Sequence, residues 1–155
     1  MATVRILEDL RILAYACEHS GYLAYREILS SGQEWPSAIE VMSIPCGGRI
    51  GLRELLETLE RGYHGVLVLA CPQDACRHLT GSRRVGAEVA RARRWLEQLG
   101  LEPGCVGVLQ ASALDAARLR REVASFHREL AEAVSGRPAG DEVVEGEKEV
   151  DTSGR

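Results

Sequence analysis

The sequence predicts an α/β fold, a four-stranded parallel sheet with flanking helices and a flavodoxin-like strand order. Two observations predict it. Short segments rich in Ile, Leu and Val alternate along the chain with segments of helical periodicity. The third of the apolar segments has no polar alternation, which is typical of a parallel strand covered on both faces. We therefore predict one α/β domain over residues 1–135.

The predicted strands are short and end beside residues that favour loops. They are residues 10–17 (LRILAYAC), 38–44 (AIEVMSI), 65–70 (GVLVLA) and 105–110 (CVGVLQ). The fourth is a weaker copy of the third. A helical segment separates each strand from the next, and this order implies right-handed crossovers between parallel strands.

Each predicted helix has a start or stop signal. Ser20 is typical of an N-cap before the first helix, residues 21–30. Gly62 and Gly100 fit the positions just past the second and third helices. Ser112 and Asp115 form a weak capping box near the start of the fourth. The apolar stripes comprise Leu52, Leu55, Leu56 and Leu59, then Val85, Val89, Ala92, Leu96 and Leu99, then Ala116, Leu119, Val123, Phe126 and Leu130.

Composition and charge exclude several classes of function. The net charge of −4 argues against nucleic-acid binding. No stretch is long and apolar enough to span a membrane, and the N-terminus, MATVRILEDLRIL, lacks a hydrophobic signal region. We therefore expect a cytoplasmic protein, in which thiols are kept reduced. Residues 136–155 are acidic and aperiodic, and we predict that they form a disordered tail.

Four cysteines follow the predicted strands. Cys17 ends the first, Cys46 follows the second within IPCGGRI, and Cys71 and Cys76 lie in the loop after the third. Because open α/β sheets bind ligands at the carboxyl edge, we expect these thiols to converge. Four thiolates hold either zinc or an iron–sulfur centre. Cys105 begins the fourth strand, at the opposite edge, and is predicted to be structural.

The neighbours of the cysteines suit a cluster site. Gly47 and Gly48 allow close approach of the backbone and leave N–H groups that can bond to sulfur. Pro72 stiffens the loop after Cys71, and the helix N-termini just downstream favour thiolates. His19 and His78 each follow a cysteine by two residues, and we favour a surface or supporting role for both.

The segments ILAYAC, IPCGGRI and GVLVLACPQDACRHLTGSRR, with RRWLEQLGL after them, resemble the delta subunit family of methyl-viologen-reducing hydrogenase over about residues 10–130. The resemblance implies one [2Fe–2S] cluster on Cys17, Cys46, Cys71 and Cys76. It also implies a non-catalytic subunit that relays single electrons. Its expected partners are a hydrogenase or other dehydrogenase and a heterodisulfide-reductase-type flavoprotein.

Two positions depart from the family pattern. The family commonly has C-x-x-C at the first site, where this chain has Ser20 in place of the second cysteine. It also tends to place His directly after the last cysteine, whereas Arg77 precedes His78 here. Ser20 can supply an oxygen ligand, but as a helix N-cap it needs no metal, and we favour the cap.

Arginines follow the cysteine loops, and docking of a partner is expected to be polar and guided by charge. Arg77 directly follows the last of the four cysteines. Arg49, Arg83 and Arg84 are as well suited to docking as to simple solvation. For the arginines of residues 91–94, the solvated face of a helix is the favoured interpretation.

Three other functions fit parts of the pattern. A structural zinc site of four cysteines would stabilise an interaction module, but structural zinc usually takes two close cysteine pairs. A thiol–disulfide enzyme would use Cys71 and Cys76, but such enzymes usually carry C-x-x-C at a helix start. A flavin-binding module would need a phosphate cradle, and CEHSGY after the first strand lacks the string of Ser, Thr and Gly for one.

Overall fold

The computed structural model describes residues 9–136 and contains strands and helices in alternation. The strands are β1 (Ile12–Cys17), β2 (Ile39–Ile44), β3 (Gly65–Ala70) and β4 (Val106–Gln110). The helices are α1 (Gly21–Ser30), α2 (Leu52–Glu60), α3 (Gly81–Gln98) and α4 (Ala116–Ser135). Short 3₁₀ turns occupy Gly47–Arg49, Gln73–Ala75, Pro103–Cys105 and Ala113–Asp115. The predicted α/β class is confirmed.

The sheet is parallel throughout, with the strand order β2-β1-β3-β4. Ile12 of β1 is level with Ile39 of β2 on one side and with Gly65 of β3 on the other. The loops that leave these three strands therefore emerge side by side at the carboxyl edge. This order is the predicted flavodoxin-like one.

The core lies on both faces of the two central strands, since every residue of β1 and β3 is buried. The helices pack as two pairs, α1 with α4 and α2 with α3, and so cover both faces. The largest fully buried side chains are mostly aliphatic, among them Ile12, Ile28, Leu55, Leu67, Leu69 and Leu119. Burial of each such side chain contributes about 1.5–3 kcal/mol, so the sheet forms a rigid base for its loops.

Two predicted helix ends differ from the structure. The fourth helix begins at Ala116 rather than near Ser112, because the Ser112 oxygen accepts from the N–H of Leu114 and caps a 3₁₀ turn instead. Leu99 is 64% exposed and does not belong to the predicted stripe. The reason is that α3 ends one residue earlier and Gly100, with φ of 70°, turns the chain away.

Among residues 9–136, no helix is both long enough and apolar enough to cross a bilayer. The predicted disordered tail begins at Gly136, the last described residue. The rest of that tail, like the first eight residues of the chain, lies outside the described residues.

Candidate functional site

The four candidate cysteines lie in three loops at the carboxyl edge of the sheet. Cys17 is the last residue of β1, and Cys46 immediately precedes the 3₁₀ turn after β2. Cys71 directly follows β3, and Cys76 closes the 3₁₀ turn of the same loop. The parallel strand order thus brings together residues that are far apart in sequence.

Three of these thiols form one buried cluster, made of Cys17, Cys71 and Cys76. The Sγ atoms of Cys17 and Cys71 are 3.5 Å apart. None of the three forms a disulfide. They are therefore free thiols in contact, and their role as ligands stays a prediction at this point.

The fourth thiol, Cys46, is half-buried and faces the cluster across Gly81. A Cβ atom on Gly81 would lie 2.6 Å from the Sγ of Cys46 and 3.5 Å from the Sγ of Cys76. A Cβ atom on Gly48 would lie 2.7 Å from the Cα of Gly81, and the Gly48 N–H donates to the Cys46 sulfur at 3.3 Å. The close backbone approach predicted for Gly48 is therefore observed, with Gly81 as its partner.

The thiols do not surround a single point. Within the described part of the chain, no group of three or more Cys, His, Asp or Glu side chains has the spacing that one metal ion requires. The Sγ atoms of Cys17 and Cys71 are in contact, and Cys76 belongs to the same buried cluster. The sulfurs of Cys46 and Cys76 both lie near Gly81, at the start of α3.

Backbone N–H groups surround the sulfur of Cys76. Burial raises the pKa of this thiol, but the N–H groups of Ser82, His78 and Gly81, together with a hydrogen bond from the Cys71 thiol, hold its pKa below the usual value. Gly81 and Ser82 are the first residues of α3, so the positive end of the helix faces the sulfur. The predicted effect of a helix N-terminus is present at this cysteine.

Cys71 has the opposite balance. Burial raises the pKa of its thiol, and the neighbouring Cys17 raises it further. The Ser20 hydroxyl and the Arg77 N–H lower it, but not enough to offset burial. The balance therefore leaves the pKa of the Cys71 thiol above its usual value.

Ser20 occupies the N-cap position of α1, but its hydroxyl does not cap the helix. The hydroxyl donates instead to the Sγ of Cys71, at 3.1 Å. The prediction of a capping role was therefore right about the position and wrong about the hydroxyl.

Sequence reasoning missed Ser82, whose buried hydroxyl donates to the backbone carbonyl of Cys71. The available signal was the run Thr-Gly-Ser between the cysteine loop and α3, in which small residues permit close packing.

A cavity of about 520 Å³ opens beside Cys46. It is lined by Pro45, Cys46, Gly48, Arg49, His78, Thr80, Gly81 and Arg84. Arg49 and Arg84 are exposed and form no ion pair within residues 9–136. Leu79, between two lining residues, is 85% exposed and has a left-handed φ of 59°, a feature that the sequence does not reveal.

The remaining candidate residues are two histidines, a cysteine and an arginine. The rings of His19 and His78 have their centroids 6.1 Å apart, and His19 pairs with Glu18. Cys105 is buried in the main core just before β4, as predicted for a structural residue. Arg93, from the segment expected to be solvated, donates to the Val106 carbonyl at 2.7 Å.

Comparison with known proteins gives a family match over most of the described chain. The family model described as methyl-viologen-reducing hydrogenase, delta subunit, matches residues 12–133. The chain is 28% identical over 126 residues to a vhu iron-sulfur subunit of the F420-non-reducing hydrogenase of Methanopyrus kandleri. That alignment covers 81% of this chain and 95% of the relative.

A second kind of relative is much larger. The chain is 27% identical over 121 residues to one of the subunits of the ferredoxin:CoB-CoM heterodisulfide reductase of Methanosarcina mazei. This alignment covers 78% of the chain but only 15% of that protein. The same domain therefore resembles a small hydrogenase subunit over nearly its whole length, and one part of a large reductase polypeptide.

Proposed function

The chain belongs to the delta subunit family of methyl-viologen-reducing hydrogenase, and on this premise we propose that it is an electron-transfer subunit with one [2Fe–2S] cluster. Cys17, Cys46, Cys71 and Cys76 would hold the cluster. One observation carries the proposal: four free thiols gather at one sheet edge, three of them in one buried cluster and the fourth beside Gly81.

The spacing of the thiols favours a two-iron cluster over a single ion. A [2Fe–2S] cluster takes four thiolates, two for each iron. A zinc ion instead needs all four thiolates around one point. Cys17 and Cys71 are in contact, whereas no group of three or more metal-ligating side chains among residues 9–136 has the spacing that one ion requires, and this suits the first requirement better.

The hydrogen bonds at sulfur also suit such a cluster, which when bound supplies one-electron redox chemistry. N–H groups reach Cys46, Cys71 and Cys76. Donors of this kind stabilise charge on ligand sulfur and so influence the reduction potential. The buried sheet beneath holds the loops and limits their rearrangement when an electron arrives.

We further propose the partners that the names of the relatives and the family resemblance together imply. One is a hydrogenase or other dehydrogenase subunit that supplies electrons, and the other is a heterodisulfide-reductase-type flavoprotein that accepts them. Cys46 is the most exposed of the four cysteines, so the cavity beside it is the place where a partner comes nearest to the cluster. Arg49 and Arg84 suit an acidic partner surface, and Leu79 adds an apolar contact.

The test is anaerobic reconstitution of the purified chain with iron and sulfide. We expect visible absorbance, two irons per chain and an EPR signal after reduction with dithionite. Cys46→Ala should abolish the signal, because it removes one of the four ligands. Cys105→Ala is the matched control, since this cysteine lies at the other edge of the sheet, and it should keep the signal.

Two results would contradict the proposal. A colourless wild-type chain that binds one zinc ion would favour the structural zinc module instead. An unchanged EPR signal in Cys46→Ala would mean that the ligands had been assigned wrongly.

A further inference from the structure

The hydroxyl of Ser20 has an unusual hydrogen-bond partner. Its residue is only 6% exposed, and the backbone has φ of −150° at the N-cap of α1. Serine is favoured at this position because its oxygen accepts from a free N–H of the first helical turn. Here that bond is absent, and the Oγ atom lies 3.1 Å from the Sγ of Cys71.

Packing fixes this geometry. The next residue, Gly21, presses on β3, since a Cβ atom there would lie 2.6 Å from the Cβ of Leu69. Leu69 is two residues before Cys71, so the start of α1 is held directly over that cysteine. The N–H of Ser20 also donates to the Cys17 carbonyl at 3.1 Å, which ties the serine to the other thiol of the pair. The hydroxyl is therefore positioned by both strands.

We propose that Ser20 is a positioning residue that raises the reduction potential of the cluster through its hydrogen bond to Cys71. This inference rests on the proposed function. On reduction, one electron passes from the reductant to the cluster, no bond breaks, and Ser20 keeps its proton. The added negative charge is shared with the ligand sulfurs, so a hydroxyl that donates to one of them stabilises the reduced form more than the oxidised form.

Ser20 is not required as a ligand under this proposal. Four thiols already satisfy a two-iron cluster. The serine stands where the family commonly has a cysteine, and its hydrogen bond to a neighbouring thiol gives it a role that needs no iron–oxygen bond.

The experiment compares Ser20→Ala with wild type in a redox titration followed by EPR, with iron counted in both. We expect two irons per chain in each protein. The potential of Ser20→Ala should be lower by up to about 59 mV, which corresponds to a tenfold change in a one-electron equilibrium. Ser20→Thr, which keeps the hydroxyl, should restore most of the difference.

Thr58→Val is the matched control. The Thr58 hydroxyl is also buried, but it donates to the Glu54 carbonyl and contacts the Tyr15 hydroxyl rather than a sulfur. Its removal should leave the potential close to that of wild type. If Ser20→Ala fails to fold, Ser20→Gly serves in its place, because glycine is well tolerated at an N-cap.

The outcomes separate this inference from the proposed function. A wild-type chain without any cluster overturns both. A cluster of unchanged potential in Ser20→Ala overturns only the tuning role. Loss of iron in a folded Ser20→Ala, with recovery in Ser20→Cys, would instead make residue 20 a ligand and would also overturn it.

Discussion

Two cysteines of one short loop have opposite acid–base behaviour. Burial raises the pKa of both thiols, but three backbone N–H groups and the Cys71 thiol overcome burial at Cys76 and hold its pKa below the usual value. At Cys71, burial and the neighbouring Cys17 prevail, so its pKa is raised. The direction of the shift therefore depends on where the backbone points its N–H groups.

This difference predicts opposite pH trends for two variants of the metal-free, reduced protein. The lowered pKa of Cys76 stabilises the fold fully above the unfolded thiol pKa, about 8.5, and this gain is lost as pH falls through the folded value. The destabilisation by Cys76→Ala should therefore grow as pH rises towards that range. The raised pKa of Cys71 has the opposite effect, because the stability it contributes is present below the unfolded thiol pKa and is lost as pH rises through the folded value. The destabilisation by Cys71→Ala should therefore shrink over that rise.

The measurement is urea unfolding at a series of pH values, with a reductant and a chelator present. Parallel trends in the two variants would show that the N–H groups do not separate the two thiols.

At single residues, the sequence supports some inferences and not others. A cysteine at the end of an apolar run indicates the carboxyl edge, which is why Cys17 and Cys71 were predictable. The hydrogen bond of the Ser20 hydroxyl was not predictable, because the N-cap preference is a local rule, whereas the actual partner of the hydroxyl is 51 residues away.

Among the elements, the start of α3 contributes most to the site. Its first residue, Gly81, fits between two sulfurs and against Gly48, where no side chain has room. The same helix contains Gly86, around which an added Cβ atom would meet nothing within 4 Å. Two glycines of one helix thus differ only in what surrounds them.

Gly81→Ala should lower the free energy of unfolding by about 1–3 kcal/mol, as overpacking does, and should reduce iron binding because Cys46 is displaced. Gly86→Ala should instead raise that free energy by about 0.5–1 kcal/mol, since alanine is the better helix former. Thermal unfolding and iron content after reconstitution measure both effects. Normal iron binding in Gly81→Ala would mean that the loops adjust easily, and that Gly81 is not needed to bring the thiols together.

The elements themselves were largely predictable because hydrophobic periodicity reports burial. β3 and α1 have the predicted bounds, as both carry a clear apolar pattern over their length. The start of α4 was not predictable, since the Ser112 hydroxyl caps a 3₁₀ turn that precedes the helix. Periodicity also gives no indication that Leu79 adopts a left-handed conformation, which is set by the loop around Cys76.

On the scale of the whole molecule, charge is unevenly distributed. The chain has a net charge of −4, yet the cavity beside Cys46 is lined by Arg49 and Arg84 and, among residues 9–136, by no carboxylate. Such a local field attracts anions to one place on an otherwise acidic protein. It would orient an acidic partner with its redox centre towards the proposed cluster.

In the reconstituted protein, this field predicts how the proposed cluster exchanges electrons with small charged oxidants. Replacement of both cavity arginines, Arg49→Glu and Arg84→Glu, should slow oxidation by anionic hexacyanoferrate(III) about tenfold at low ionic strength. Oxidation by cationic hexaammineruthenium(III) should become faster. Both differences should nearly vanish at about 1 M salt, where the Debye length is about 3 Å. Stopped-flow absorbance of the cluster measures each rate.

The control must separate the local field from the total charge. Arg94→Glu changes an exposed arginine of the same helix, ten residues and about 15 Å beyond Arg84. At moderate ionic strength, where the Debye length is about 10 Å, its effect on the rate should be much smaller than that of Arg84→Glu alone. Equal effects would assign the attraction to net charge, and the cavity would then have no special role in docking. A smaller effect of Arg94→Glu ties electron exchange to the side of the molecule where Cys46 lies nearest the surface.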